Sequence, residues 1–219
     1  MIDSAAEELP APLLQFDDFL DPSKVDRLIE FVRAHEGDLS PSSVLAAPGD
    51  EPSDVRRSRT MFELDEVWPM FERQLVALLP MMRRELGVPW FKLGRIERQL
   101  TVHHDGDFFG LHNDSGGPEV ATRALTYVYY FNLEPKQFEG GELWVYDFVD
   151  RDHVLHKGED HVVIEPRHNS IIFFPSWVHH EVRPVRALAE GLDGCRITVN
   201  GWFHVDHDDA TGTEHAPAE

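Results

Sequence analysis

The spacing of apolar positions changes near residue 90. Before that point it is helical. In "DPSKVDRLIEFVRAHE", residues 21–36, Val25, Leu28, Ile29 and Val32 share one helical face, Asp21 takes the N-cap and Pro22 the first helical position. A second helical run covers "DEVWPMFERQLVALLPMMRREL", residues 65–86, where Pro80 is expected to bend or split the helix. Between the two lie residues 37–58, rich in Gly, Pro, Ser and Asp, which read as a long loop of the kind used for lids and binding. Residues 1–12 and 207–219 are polar, with small residues and Pro, and read as flexible ends.

After residue 90 the period shortens. "FKLGRIERQLTVHH", "RALTYVYYFN", "GELWVYDF", "HVVIEP", "SIIFFP", "HHEVRPV" and "CRITVNGWFHV" are short runs rich in β-branched and aromatic residues, bounded by turn formers. Helices followed by strands predict an α+β fold, a β-sandwich or jelly roll backed by N-terminal helices. The expected organisation is one domain over 1–219, with 13–90 as helical support and 91–206 as the strand core. Along "RITVNGWF" the alternation places Arg196, Thr198, Asn200 and Trp202 on one face and Ile197 and Val199 on the other. Such a polar row either lines a wet cavity or faces solvent.

Composition narrows the partners. The 219 residues suffice for one sizeable core and are few for two. No apolar run reaches the roughly 18 residues of a membrane span, and "MIDSAAEELPAP" does not read as a secretory signal. Cys195 is the single cysteine, so no internal disulfide is expected and a cytoplasmic location fits. A formal net charge of −20 opposes nucleic acid and anionic membranes. It favours a monomer or weak homo-oligomer that meets a small-molecule or peptidyl partner.

The candidate chemistry starts at "FFGLHNDSGG", residues 108–117. His112 and Asp114, two apart in an extended segment, point the same way and can reach one cation. His179 and His180, after the strand "SIIFFP" and a Pro-Ser turn, offer a further imidazole. Two histidines and one carboxylate on one face of an octahedron suit non-haem Fe(II). On spacing alone, a polar turn remains the alternative.

Five ordered motifs extend this reading: "HHDGDFFGLHND", "RALTYVYYFN", "FEGGELWVY", "IIFFPSWVHHEVRPV" and "GCRITVNGWF". With "FDDFLDPSKVDRLIEFV" before them, they resemble the Fe(II)/2-oxoglutarate-dependent oxygenases, in particular the prolyl 4-hydroxylase-like group. The resemblance implies a double-stranded β-helix core. It implies His112, Asp114 and His180 as metal ligands, with His179 beside them. Arg196 matches the residue that pairs with the distal carboxylate of 2-oxoglutarate, Tyr130 a hydroxyl on the same carboxylate, and Thr198 and Asn200 lie on the same strand face. His103 stands where the family has Tyr, a role whose charge would depend on pH. The stretch between His180 and Arg196 is longer than the family pattern.

The cofactors so implied are Fe(II), 2-oxoglutarate and O2, with ascorbate in support. The implied reaction is hydroxylation of an unactivated C–H bond with release of succinate and CO2. Asp114, in a position where halogenating relatives carry Gly or Ala, favours hydroxylation. The substrate leans to a prolyl residue or an amino acid. Arg123, Asn113, Trp177 and Arg59 are the candidate substrate residues, Arg59 belonging to a basic cluster with Arg56 and Arg57. The rival readings are a cupin-type metal enzyme that does not use 2-oxoglutarate and a non-catalytic jelly-roll binding module.

Overall fold

The computed structural model describes residues 8–42 and 52–206. The outer parts of the expected flexible ends, 1–7 and 207–219, and the middle of the expected loop, 43–51, lie outside the described residues. In chain order the elements are β1 (Glu8–Leu9), β2 (Leu14–Phe16), α1 (Pro22–Ala34), β3 (Ser40–Pro41), α2 (Pro52–Val55), β4 (Arg56–Arg57), β5 (Arg59–Met61) and α3 (Pro69–Glu85). Then follow β6 (Leu93–His103), β7 (Phe108–His112), β8 (Arg123–Phe131), β9 (Phe138–Gly140), β10 (Leu143–Arg151), β11 (Val154–Ile164), β12 (Ser170–Pro175), β13 (His180–Val182), β14 (Val185–Ala187) and β15 (Arg196–Val205).

The helices form where the pattern places them. Pro22 opens α1, and the Asp21 carbonyl accepts the first amides, from Lys24 and Val25. The Asp21 carboxylate does not cap the helix; it pairs with Lys24. Val25, Leu28, Phe31 and Val32 form the buried stripe. Helix α3 begins at Pro69, later than the sequence run, and continues through Pro80 without splitting. Pro80 and Val76, whose carbonyl loses its amide partner, both lie on the exposed side, where water can take that bond.

The strands build two main antiparallel sheets, beside a separate two-stranded pair, β14-β9. The larger has the order β2-β12-β8-β15-β6-β5-β3. The smaller has the order β1-β10-β13-β7-β4, with β11 also on β10. One face of the large sheet, including Leu125, Tyr127, Tyr129, Ile197, Val199 and Phe203, packs on α1 and α3 in the main core. Phe71 of α3 meets Tyr129 edge-on at 5.2 Å between ring centroids. The opposite face packs on the small sheet, with Val128, Tyr130, Ile172 and Phe174 against Leu143, Val145 and Val182. This is the α+β jelly roll that the strand pattern implied.

Three details depart from the sequence expectation. The described ends of the 37–58 loop carry β3 and β4, which find strand partners in β5 and β7, and the short helix α2 leading into β4. Strand β11 starts at Val154, seven residues before the run "HVVIEP". It is joined to β10 by a two-residue turn in which Asp152 and His153 have φ of 53° and 63°. Strand β7, which ends at His112, was not among the seven expected strand runs, although the His-x-Asp segment was read as extended. Among the described residues, no helix is long and apolar enough to cross a membrane.

Candidate metal centre

Strands β7 and β13 pair so that His112 and His180 are register partners. Asp114 follows β7 by two residues and is fixed by its backbone amide, which donates to Ser176 O at 2.8 Å. Ligand atoms of His112, Asp114 and His180 all lie within 4.8 Å of one another. His112 Nε2 stands 3.6 Å from Asp114 Oδ1, and His180 Nε2 3.5 Å from Asp114 Oδ2.

Hydrogen bonds orient each ligand. Nδ1 of His112 lies 2.8 Å from Gly110 O, and Nδ1 of His180 lies 2.9 Å from Val178 O. A carbonyl can only accept, so both Nδ1 atoms carry the proton and both Nε2 atoms present a lone pair to the centre. Thr126 Oγ1 donates to Asp114 Oδ2 at 2.7 Å. Burial drives His112 down to about 3, helped by neighbouring His180. Burial alone would raise the Asp114 carboxyl; His180, His112, Trp202 and Thr126 outweigh it and hold the group below its ordinary value. Two neutral imidazoles and one carboxylate are the donor set for a divalent transition metal such as Fe(II).

The cavity beside this centre opens to solvent, and with that open space included it has about 480 Å³ free of protein atoms. The polar row of β15 lines it: Arg196, Thr198, Asn200 and Trp202 all face inward, which resolves the alternation in favour of a cavity. From β6 come Gln99, Thr101 and His103. Thr101 Oγ1 donates to Asn200 Oδ1 at 2.8 Å, and Thr198 Oγ1 lies 3.4 Å from the same oxygen.

Arg196 is 2% exposed and has no carboxylate within ion-pair distance among the described residues. Its Nε donates to Gly141 O at 2.7 Å and its Nη1 lies 3.4 Å from His103 Nδ1. The guanidinium sits 5.1 Å from the Tyr130 ring centroid. Around it, His103 Nε2 is buried without a hydrogen-bond partner, and the Tyr130 hydroxyl has none beyond the guanidinium itself. Burial pushes the Tyr130 phenol up to about 12, so it remains a donor. Glu142 acts on this cation only from beyond ion-pair distance, so the guanidinium and the two groups beside it could receive an anion.

His103 does not behave as the sequence suggested. Burial, then Arg196, Arg56 and His104, hold its pKa well below the usual value, so it is neutral across the physiological range. With Nδ1 accepting from Arg196, Nε2 carries the proton.

The remaining candidates separate. Arg123 is held by Glu97 at 3.0 and 3.1 Å, and its guanidinium stacks 3.5 Å over Trp202. His204 shares the same carboxylate at 2.8 Å. Asn113 lies 3.3 Å from His179 Nε2, outside the cavity lining, and Trp177 packs against Phe148. Arg59 lines a neighbouring groove instead. Arg56 does reach the cavity, stacked 4.7 Å over Phe109. Its sequence signal was the cluster Arg56, Arg57, Arg59; only the pairing of β4 with β7 shows which member points inward.

Residues 98–204 match the family model of the 2OG-Fe(II) oxygenase superfamily. An uncharacterized PKHD-type hydroxylase of Synechocystis is 33% identical over 89% of this chain and 64% of its own length. A prolyl 3-hydroxylase of Drosophila melanogaster is 28% identical over 63% of this chain and 26% of its own length. The chain therefore spans less than two thirds of either relative. Among solved structures, a Pseudomonas putida prolyl-4-hydroxylase shares the fold with a TM-score of 0.63 at 21% identity, covering 89% of this chain and 93% of that one. A Trichoplax adhaerens prolyl hydroxylase in complex with a hypoxia inducible factor oxygen degradation domain peptide fragment gives 0.68 at 17% identity, covering 94% and 88%.

Proposed function

Because this chain belongs to the 2OG-Fe(II) oxygenase superfamily, we propose that it is a hydroxylase acting on a prolyl residue or an amino-acid-like substrate. The observation that carries the proposal is one cavity holding both the His112–Asp114–His180 cluster and a buried Arg196 without a carboxylate. His112, Asp114 and His180 would hold Fe(II). Arg196, Tyr130 and His103 would hold the distal carboxylate of 2-oxoglutarate. Bound together with O2, these supply the oxidising power that hydroxylates an unactivated C–H bond and releases succinate and CO2, with ascorbate as supporting reductant.

The chain's own contribution is placement. The two Nδ1–carbonyl bonds stop the imidazoles from turning, and Thr126 holds one oxygen of Asp114. Thr101, Thr198 and Asn200 give the cavity wall a fixed polar surface. Leu143, Val182, Val128 and Phe109 supply the apolar remainder and limit water. A cupin-type enzyme or a bare binding module would leave Arg196 buried with nothing to neutralise it.

The test is coupled turnover: prolyl peptides and free amino acids are incubated with protein, Fe(II), 2-oxoglutarate, ascorbate and air. Substrate gaining one oxygen atom, matched mole for mole by succinate, supports the reading. No succinate above a His112→Ala control contradicts it.

A further inference from the structure

We infer that the substrate carries an anionic group, received at the cavity by Arg56 and drawn toward it by Arg57 and Arg59. This rests on the hydroxylase reading and adds the chemical class of the molecule hydroxylated.

The chain has 40 acidic and 20 basic residues, so a surface arginine has an abundance of carboxylates to meet. Arg27, Arg33, Arg84, Arg95, Arg98 and Arg123 each do so. Among the described residues, Arg56, Arg57 and Arg59 pair with none. They lie on β4 and β5, two strands from different sheets separated by Ser58 alone, beside the metal centre. Arg57 reaches the Gly106 carbonyl and stacks 5.2 Å over Phe108; Arg59 reaches the Leu39 carbonyl. Both are exposed and, with Arg56, line a groove continuing outward from the cavity. Asp107 is the acidic side chain in that lining, and its Oδ2 already accepts the His104 amide at 2.9 Å.

Arg56 is the decisive member. Its Nε donates to Ser58 Oγ at 2.8 Å, and Ser58 is steadied by Ser42 at 2.7 Å. Its stem and plane are pinned over Phe109, whose ring stacks on the ligand His112. Neither Nη of Arg56 donates to any described residue. The orientation is thus fixed while the two-pronged end stays open to the cavity, the arrangement that receives a carboxylate or phosphate side-on. Burial brings its pKa down to about 10, so it is still a cation at neutral pH. Asp114, the carboxylate that pulls the other way, belongs to the metal cluster and is not free to neutralise it. Arg196 would serve the cosubstrate; Arg56 is a second guanidinium in the same cavity and calls for a second anion. In a chain of charge −20, this strip offers an anionic substrate a positive approach to the cavity.

The test compares two sets of proline-containing pentapeptides, identical except that Asp or Glu in one is Asn or Gln in the other. Binding is measured by calorimetry on protein loaded with Mn(II) and 2-oxoglutarate. The expected result is tighter binding of acidic peptides by about 10- to 100-fold, reduced to within about threefold in Arg56→Gln. Equal binding of both sets, no binding of acidic peptides at millimolar concentration, or a preference undiminished in Arg56→Gln overturns the inference. Loading with Mn(II) and 2-oxoglutarate is measured on the same samples before peptide is added. Failure to load counts against the hydroxylase reading, whereas normal loading without acid preference counts against this inference alone.

Discussion

His112 and His180 sit opposite each other across β7 and β13, and each binds through Nδ1 the carbonyl two residues before it, Gly110 for one and Val178 for the other. His112 closes β7 and His180 opens β13, so Gly110 lies within a strand and Val178 in the turn before one. In both places the chain that presents the imidazole also fixes its tautomer. His179, the neighbour in sequence, points away and lies near Asn113. Replacing His112 or His180 with Ala should therefore abolish metal binding and turnover, while His179→Ala keeps at least half the activity. Metal content after dialysis and succinate release check both. Full activity in His180→Ala would reverse the ligand assignment.

Arg196 is expected to control cosubstrate affinity. Arg196→Ala should raise the 2-oxoglutarate concentration needed for half-saturation by about 100-fold, since a charge-assisted bond in a buried site contributes about 2–3 kcal/mol. Tryptophan fluorescence on the Mn(II)-loaded protein reads this without turnover. A change below about threefold would remove Arg196 from the clamp.

Gly141 should matter through the same clamp. Its φ is +70°, and a methyl group there would lie 2.7 Å from Arg196 Cδ, while its carbonyl holds Arg196 Nε. Gly141→Ala must push Arg196 aside and strain the backbone, at a cost of about 1–2 kcal/mol in stability. It should weaken 2-oxoglutarate binding about 10-fold. Unchanged binding with unchanged stability would show that Arg196 is free to relax.

His103 predicts a pH dependence of stability. Its folded-state pKa is depressed by burial and by the arginines beside it, whereas the unfolded chain protonates near 6.5. The unfolded state therefore binds the extra proton as pH falls below about 6.5, and stability is lost in that direction, by up to about 1.4 kcal/mol per pH unit for each such histidine. His112, lowered to about 3, contributes with the same sign. Urea midpoints of the metal-free protein should drop between pH 7.5 and 5.5, and His103→Tyr should show a shallower drop. An identical slope in the variant would mean that His103 is protonated in the folded protein.

What the sequence revealed follows from how local each signal was. Helix α1 was legible because Pro22 and the apolar stripe are contained in sixteen residues. The inward face of β15 was half legible: alternation grouped Arg196 with Thr198 and Asn200, but only the second sheet makes that face a cavity. Arg59 was singled out from a cluster in which Arg56 is the residue that reaches the cavity, because the direction of each depends on β4 pairing with β7 some fifty residues away. Arg123 was a substrate candidate in the sequence; its carboxylate partner Glu97, shared with His204 of β15, comes from β6, one strand beyond β15 in the sheet. The neutrality of His103 is a property of burial and neighbours, not of local sequence.

The most direct test of the central claim is an anaerobic titration of the metal-free protein with Fe(II) and 2-oxoglutarate, followed by visible absorption. A weak charge-transfer band that needs both components, and that disappears in His112→Ala and requires far more 2-oxoglutarate in Arg196→Ala, is the predicted result. Fe(II) bound tightly with no band at saturating 2-oxoglutarate, or a band indifferent to both substitutions, would contradict the account.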